Sequence, residues 1–242
     1  MLNHLKLIIL IYLFTKWQAH KNINLFGKFF LYKTHQPNNV RFYSTLSKEE
    51  KEAGGETNLW IYYNRGNTEG YKWFVPYTEC INWSKVLVSE LKAGEKTNSR
   101  WQGAKYYSVT GFGWVDYFTN RLKSFFVEEG VYSKNIVKLH CTNHLLSDKY
   151  IVALLNSSFI TYFVKNFITS THTLQINDGR LIPIFIPNKT QLENIESLVT
   201  KILSLKKANP DCDTSHFEKD IDKMVFELYR LSDEEIQNIE NQ

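Results

Sequence analysis

Arg100-Trp-Gln-Gly-Ala-Lys-Tyr-Tyr-Ser-Val-Thr-Gly-Phe-Gly-Trp114 sets two cations, two Trp, two Tyr and one Phe among three glycines. Polar and aromatic positions interleave, a pattern unlike that of a plain core strand or a disordered linker. It predicts two short extended runs with a bend at Gly111 and Gly113, because glycine tolerates the backbone angles of tight turns. Two readings stay open. Arg100 and Lys105 can neutralise phosphates while Trp101, Tyr106, Tyr107 and Trp114 offer flat faces to bases. Alternatively the rings seal inside a hairpin and the charges are merely solvated.

Composition narrows the setting. The chain has 242 residues, 43% of them hydrophobic and 15% aromatic, enough for a sizeable core with a raised content of ring side chains. Charge is unevenly placed. Residues 211–242 hold ten Asp/Glu against Lys219, Lys223 and Arg230, a balance of −7, so residues 1–210 carry +11 of the overall +4. A basic body with an acidic tail points to a polyanion partner for the first and a protein partner for the second. Three well-separated cysteines (Cys80, Cys141, Cys212) form no disulfide framework, so a reducing cytoplasm is expected. Leu7 to Phe14 is the one continuous apolar run, far short of a membrane span, and no membrane association is expected.

Read outward from the opening stretch, the pattern predicts an α+β chain. Leu46 to Gly55 is a polar helix or linker and marks a boundary at paired glycines. Leu59–Tyr63 and Tyr71–Val75 read as strands, the second stopped by Pro76. Trp83–Leu91 reads as a short helix. Asn120–Val127 alternates as a strand with Arg121 and Lys123 on one face, Gly130 turns the chain, and Ile136–His140 is a further strand. His140, Cys141 and His144 lack the second ligand pair of a structural zinc site, so no metal is expected. From Asp148 an apolar stripe capped by Ser147 or Asp148 predicts a helix, then a polar loop over Thr169–Arg180 and an extended Leu181–Pro187.

Three helices close the chain. Asn188…Gln191 starts the first, with a stripe of Leu192, Ile195, Val199, Ile202 and Leu205, ending near Asn209-Pro210. Ser215…Glu218 and Ser232…Glu235 read as capping boxes for the other two. The expected organisation is an unassigned segment at 1–55, a strand-rich domain at 56–187 and a helical tail at 188–242.

The tail carries a resemblance. Pro183-Ile-Phe-Ile-Pro, the helix through Gln191…Ile195…Val199…Leu203, and Ile221-Asp…Val225-Phe-Glu-Leu-Tyr…Leu231-Ser-Asp-Glu-Glu-Ile236 resemble the C-terminal end of TaqI-like adenine-N6 DNA methyltransferases. That group includes fused restriction-modification enzymes. Lys105-Tyr-Tyr…Gly111-Phe-Gly-Trp114 and Leu154-Leu-Asn-Ser…Leu174-Gln-Ile-Asn-Asp-Gly are similar to elements of its target-recognition region, and the latter to methyltransferases of phage-exclusion systems. The resemblance implies a strand-rich DNA target-recognition domain followed by a helical tail. It covers about residues 59–242. The chain has no Pro-Pro pair, so the Asn/Asp-Pro-Pro-Tyr element that holds a flipped adenine is missing, and no methyl-donor site can be assigned. S-adenosylmethionine is therefore expected in a catalytic partner or missing domain, and no cofactor in this chain.

On this reading the contacts to double-stranded DNA come from Arg100, Trp101, Lys105, Tyr106, Tyr107, Trp114, Arg121 and Lys123, and from Thr171, His172 and Gln175 of the polar loop. A metal-dependent nuclease is the second possibility. It needs an Asp ahead of a Glu-x-Lys pair, yet Glu49-Glu50-Lys51 precedes the first Asp, Asp116. The third is a non-catalytic interaction module with an incidental basic surface. The seven His are scattered, with no acid placed to make a nucleophile–base pair.

Overall fold

The computed structural model describes residues 23–24, 40–52, 59–64, 66, 71–93, 107, 109–118, 120–128, 130–133 and 136–241. Leu7–Phe14, Gly55, Gly94, Arg100, Trp101, Lys105 and Tyr106 lie outside these described residues.

The strands are β1 (Ile23–Asn24), β2 (Val40–Phe42), β3 (Trp60–Asn64), β4 (Glu79–Asn82), β5 (Gly111–Val115), β6 (Ser124–Val127), β7 (Val131–Tyr132) and β8 (Ile136–Cys141). The helices are α1 (Lys48–Glu52), α2 (Lys85–Ala93), α3 (Asp148–Asn156), α4 (Ser158–Phe163) running into a π turn (Val164–Ile168), α5 (Ile176–Gly179), α6 (Lys189–Ala208), α7 (Ser215–Tyr229) and α8 (Asp233–Glu240). The mixed α+β class and the helical tail are as the sequence predicts. One sheet has the order β1-β8-β5-β6, antiparallel throughout. The other has the order β2-β4-β3-β7, with β3 and β7 parallel.

Gly111 and Gly113 make no bend. Both sit inside β5, pairing with Val127 and Phe125 of β6. Their reason is close approach: a Cβ at Gly113 would stand 2.5 Å from Val137 O and 3.1 Å from the Phe125 ring. Glycine is the residue that lets two backbones come this near. Alternating with the glycines, Phe112 and Trp114 are buried in the core, 1% and 2% exposed.

Tyr71–Val75 is not a strand either. Trp73 alone bridges Phe125, with φ +71°, in the left-handed region that a bulky side chain rarely enters. Its N–H donates to Ser124 O at 2.8 Å and its carbonyl accepts from Phe126 N at 2.9 Å, so this segment covers the outer edge of β6. Asn156 at the end of α3 completes the cover: its amide accepts from Ser124 N at 2.7 Å and donates to Ser124 O at 2.9 Å.

Helix α3 starts where Ser147 Oγ accepts from Tyr150 N at 3.1 Å, the predicted cap. Every residue from Tyr150 to Asn156 is buried. One side of α3 meets β5, β6 and β8 and the other meets α6, while α4 packs on α7 and α8. The tail therefore shares a single core with the sheet: Phe112, Trp114, Leu154, Val199, Val225 and Ile239 belong to one buried cluster. The boundary expected at 187/188 falls inside it.

Ser232–Glu235 is a capping box as predicted, and Asn188–Gln191, predicted to start α6, does so as a capping box too. Ser215–Glu218 is not. Thr214 precedes the helix, and the Glu218 carboxylate accepts from Lys72 Nζ, from Trp73 Nε1 at 2.8 Å and from Thr214 Oγ1 at 2.9 Å. One turn on, Asp222 Oδ1 accepts from Ser158 N at 2.7 Å at the start of α4, and its Oδ2 lies 3.8 Å from Arg121. Glu218, read as a helix starter, is a fastener between tail and body, and Asp222 is a second.

Among the described residues no single helix is long and apolar enough to cross a membrane; α3 and α4 with its π turn are apolar enough together but bend by 64°. Gly113→Ala is expected to cost about 2 kcal/mol through overpacking against Val137, read as a lowered midpoint of urea denaturation; an unchanged midpoint would contradict the close approach.

Candidate nucleic-acid interface

The chain beyond β5 stays extended and gains a new partner. Leu174 N donates to Asp116 O at 2.9 Å and Phe118 N to His172 O at 2.8 Å, with Tyr117 and Thr173 as an antiparallel bridge between them. The polar loop read from the sequence is thus an added rung on the sheet. The Trp114 indole N–H donates to Leu174 O at 2.9 Å from below. On its other side Gly179 of α5 comes so close that a Cβ there would lie 3.1 Å from the Trp114 ring. Trp114 is a buried post carrying the loop. A ring 2% exposed with its N–H engaged has no face left for a base, so the expected contact at Trp114 is withdrawn.

What the post supports is exposed. Thr171 and His172 stand at the surface, and the His172 ring lies 6.1 Å from that of Tyr117, which is 44% exposed. Thr169, Thr171 and Thr173 join their hydroxyls in a row, at 2.8 Å and 3.0 Å. Gln175 is half-buried at the N-cap of α5, where its own N–H donates to Asp178 Oδ2 at 2.9 Å. Tyr117 was missed by sequence reasoning. Its only signal was an aromatic residue just beyond a buried strand, in alternation with Trp114 and Phe118.

The remaining predicted residues divide. Arg121 is exposed on the turn before β6, with Asp222 at 3.8 Å as a loose partner, while Lys123 is half-buried beside it. Tyr107 belongs elsewhere: it packs edge-on against Trp83, at 6.0 Å and 72°, in the cluster under the second sheet. Its carbonyl accepts from Lys138 Nζ at 2.9 Å. The structure therefore gathers Thr171, His172 and Gln175 over Trp114 and leaves Tyr107 apart from them.

A second polar group lies around β8. Burial brings the Lys138 ammonium down to about 8 against the opposing pull of Asp148, and its Nζ sits 5.4 Å from the Tyr132 ring. Burial also pushes the Asp148 carboxyl up to about 6, although the Cys141 N–H, 2.6 Å away, and Lys138 both favour its charge. His140 is lowered by burial and by Lys138, and the Cys141 thiol is raised by burial. Desolvation leads in every case, which marks a sheet end being covered by α3 rather than a nucleophile being activated. Among the described residues no three of His, Cys, Asp and Glu converge to hold a metal ion. Compared with known proteins, the chain matches no family model, and no curated protein is significantly similar to it.

The Asp148 shift fixes a pH dependence. Its folded-state pKa lies above the unfolded value of about 4, so the folded chain binds more protons between about pH 4 and 6 and loses stability as pH rises through that window. Asp148→Asn keeps an acceptor for Cys141 N but cannot ionise. In urea denaturation the variant should gain on the wild type from pH 4 to 6 and hold that gain above it. A difference independent of pH would refute the assignment.

Proposed function

We propose that this chain is the DNA target-recognition part of an adenine-N6 DNA methyltransferase of a restriction-modification or phage-defence system, acting in the cytoplasm. It lacks the catalytic methyl-donor domain, and a partner subunit or further domain supplies that domain with its S-adenosylmethionine. The observation that carries the reading is the polar rung on β5: Tyr117, Thr171 and His172 stand exposed on backbone that Trp114 and Leu174 fix from beneath. Such a surface suits nucleic acid, because small hydroxyl donors and a ring on a fixed frame meet phosphate and sugar without an ordering cost. Exposed Lys165 and Arg180 flank the loop, and Arg121 stands on the neighbouring turn. These support the resemblance that the tail motif and the Gly-Phe-Gly-Trp element suggest.

The alternative, a tail serving as a free protein-binding arm, fits the packing less well. Glu218 and Asp222 are spent on Lys72, Trp73, Arg121 and Ser158, and Ile195, Val199 and Val225 are core. Removing residues 188–242 would uncover α3, so a truncated chain cannot separate DNA binding from tail binding.

Binding of duplex DNA by the full chain should weaken steeply with salt as phosphate counterions are displaced. Arg121→Ala should reduce the log–log salt slope by about 1. Fluorescence anisotropy over a salt series measures both. Failure to bind at low salt, or retention of DNA at high salt, overturns the proposal.

A further inference from the structure

The rung above Trp114 has a donor to spare. Thr169, Thr171 and Thr173 carry one hydroxyl proton each and close two bonds between them, so one proton is left over, at an end of the row or on Thr171 where it accepts from both neighbours. At the Thr169 end its protein acceptor, Thr171 O, is 3.5 Å away, at the outer limit of a hydrogen bond; Thr171 is exposed and Thr173 half-buried. A chain of hydroxyls polarises its terminal proton, which makes that proton a better donor than an isolated threonine. Beside this row lies the 44% exposed ring of Tyr117, with His172 tilted at 57° against it.

Reach decides what such a shelf can touch. A major groove is about 8.5 Å deep, and a threonine hydroxyl extends one bond past Cβ from a backbone held on the sheet by Leu174 N and Phe118 N. The row cannot arrive at base edges unless the loop leaves its hydrogen bonds. It can arrive at the outside of the duplex.

On the premise that the DNA reading above is correct, we propose that Tyr117 and the Thr169–Thr171–Thr173 hydroxyls form an uncharged contact for one sugar–phosphate step of duplex DNA. The spare hydroxyl proton donates to a phosphate oxygen and the Tyr117 ring lies against the adjoining deoxyribose, with His172 supporting the ring. The contact positions the duplex and carries no sequence preference of its own.

The test uses the full chain and a random-sequence duplex pool. Tyr117→Ala and Thr171→Val should each weaken binding about five-fold. Because neither removes a charge, the salt slope should stay at the wild-type value, unlike that of Arg121→Ala. The sequences recovered from the bound pool should match those of the wild type. Thermal melts check the fold; should Tyr117→Ala not fold, Thr171→Val, an isosteric change on an exposed residue, decides alone. Wild-type affinity in the folded variants removes the shelf while leaving the DNA reading standing. A changed set of recovered sequences makes the shelf a base reader and overturns the sugar–phosphate assignment. If the wild-type chain binds no duplex even at low salt, the DNA reading and the shelf fall together.

Discussion

A short helix with no solvent-facing side is the constraint from which the other positions follow. All seven residues from Tyr150 to Asn156 are buried, although two of them carry strong polar groups. Burial without partners would cost each of those groups roughly 1–3 kcal/mol. Tyr150 Oη donates to Phe185 O at 2.8 Å, and Asn156 grips both backbone groups of Ser124. One anchor holds the first turn to the Leu181–Pro187 connector and the other holds the last turn to β6. The apolar residues between them could slide by a turn and still be apolar; the anchors could not. Tyr229 extends the same logic to the tail, accepting from Phe185 N at 3.2 Å and donating to Pro183 O at 2.5 Å.

Local chemistry was legible in the sequence and remote chemistry was not. Ser147, Asn188–Gln191 and Ser232–Glu235 cap the helices that their spacing announces, because both partners lie within four residues. Ser215–Glu218 has the same spacing and a different outcome. Glu218 meets Lys72 and Trp73 from roughly 145 positions earlier, and stronger donors at depth outcompete a local amide. The apolar stripe of α6 was off by two positions on its last turn: Leu203 is 6% exposed and Leu205 is 37% exposed. Helix periodicity gives a face, and only the neighbour's shape gives its edge. The glycines of β5 were read as turn formers because nothing in the one-dimensional text says that β8 will lie against them.

The candidate site shows the same division. Gly-Phe-Gly-Trp drew attention correctly, yet its tryptophan works from inside. A large ring with a bonded N–H makes a stiff support, and the stiffness is passed to a loop of small polar residues that would otherwise wander. The exposed ring of the pair is the one with less area and a polar tip. Charge reading needs a similar correction. The basic body and the acidic tail are in part partners of each other, since Lys72 and Arg121 face Glu218 and Asp222.

Asp222 also sets a schedule. The amide of Ser158 that it caps was made 64 residues earlier, so a ribosome working at 5–20 residues per second releases the corner between α3 and α4 about 3–13 s before the carboxylate that finishes it. Through that interval the Ser157 hydroxyl, which donates to Leu154 O and accepts from Ile160 N, holds the corner. A corner at the centre of the core thus waits on a residue that follows it by 64 positions.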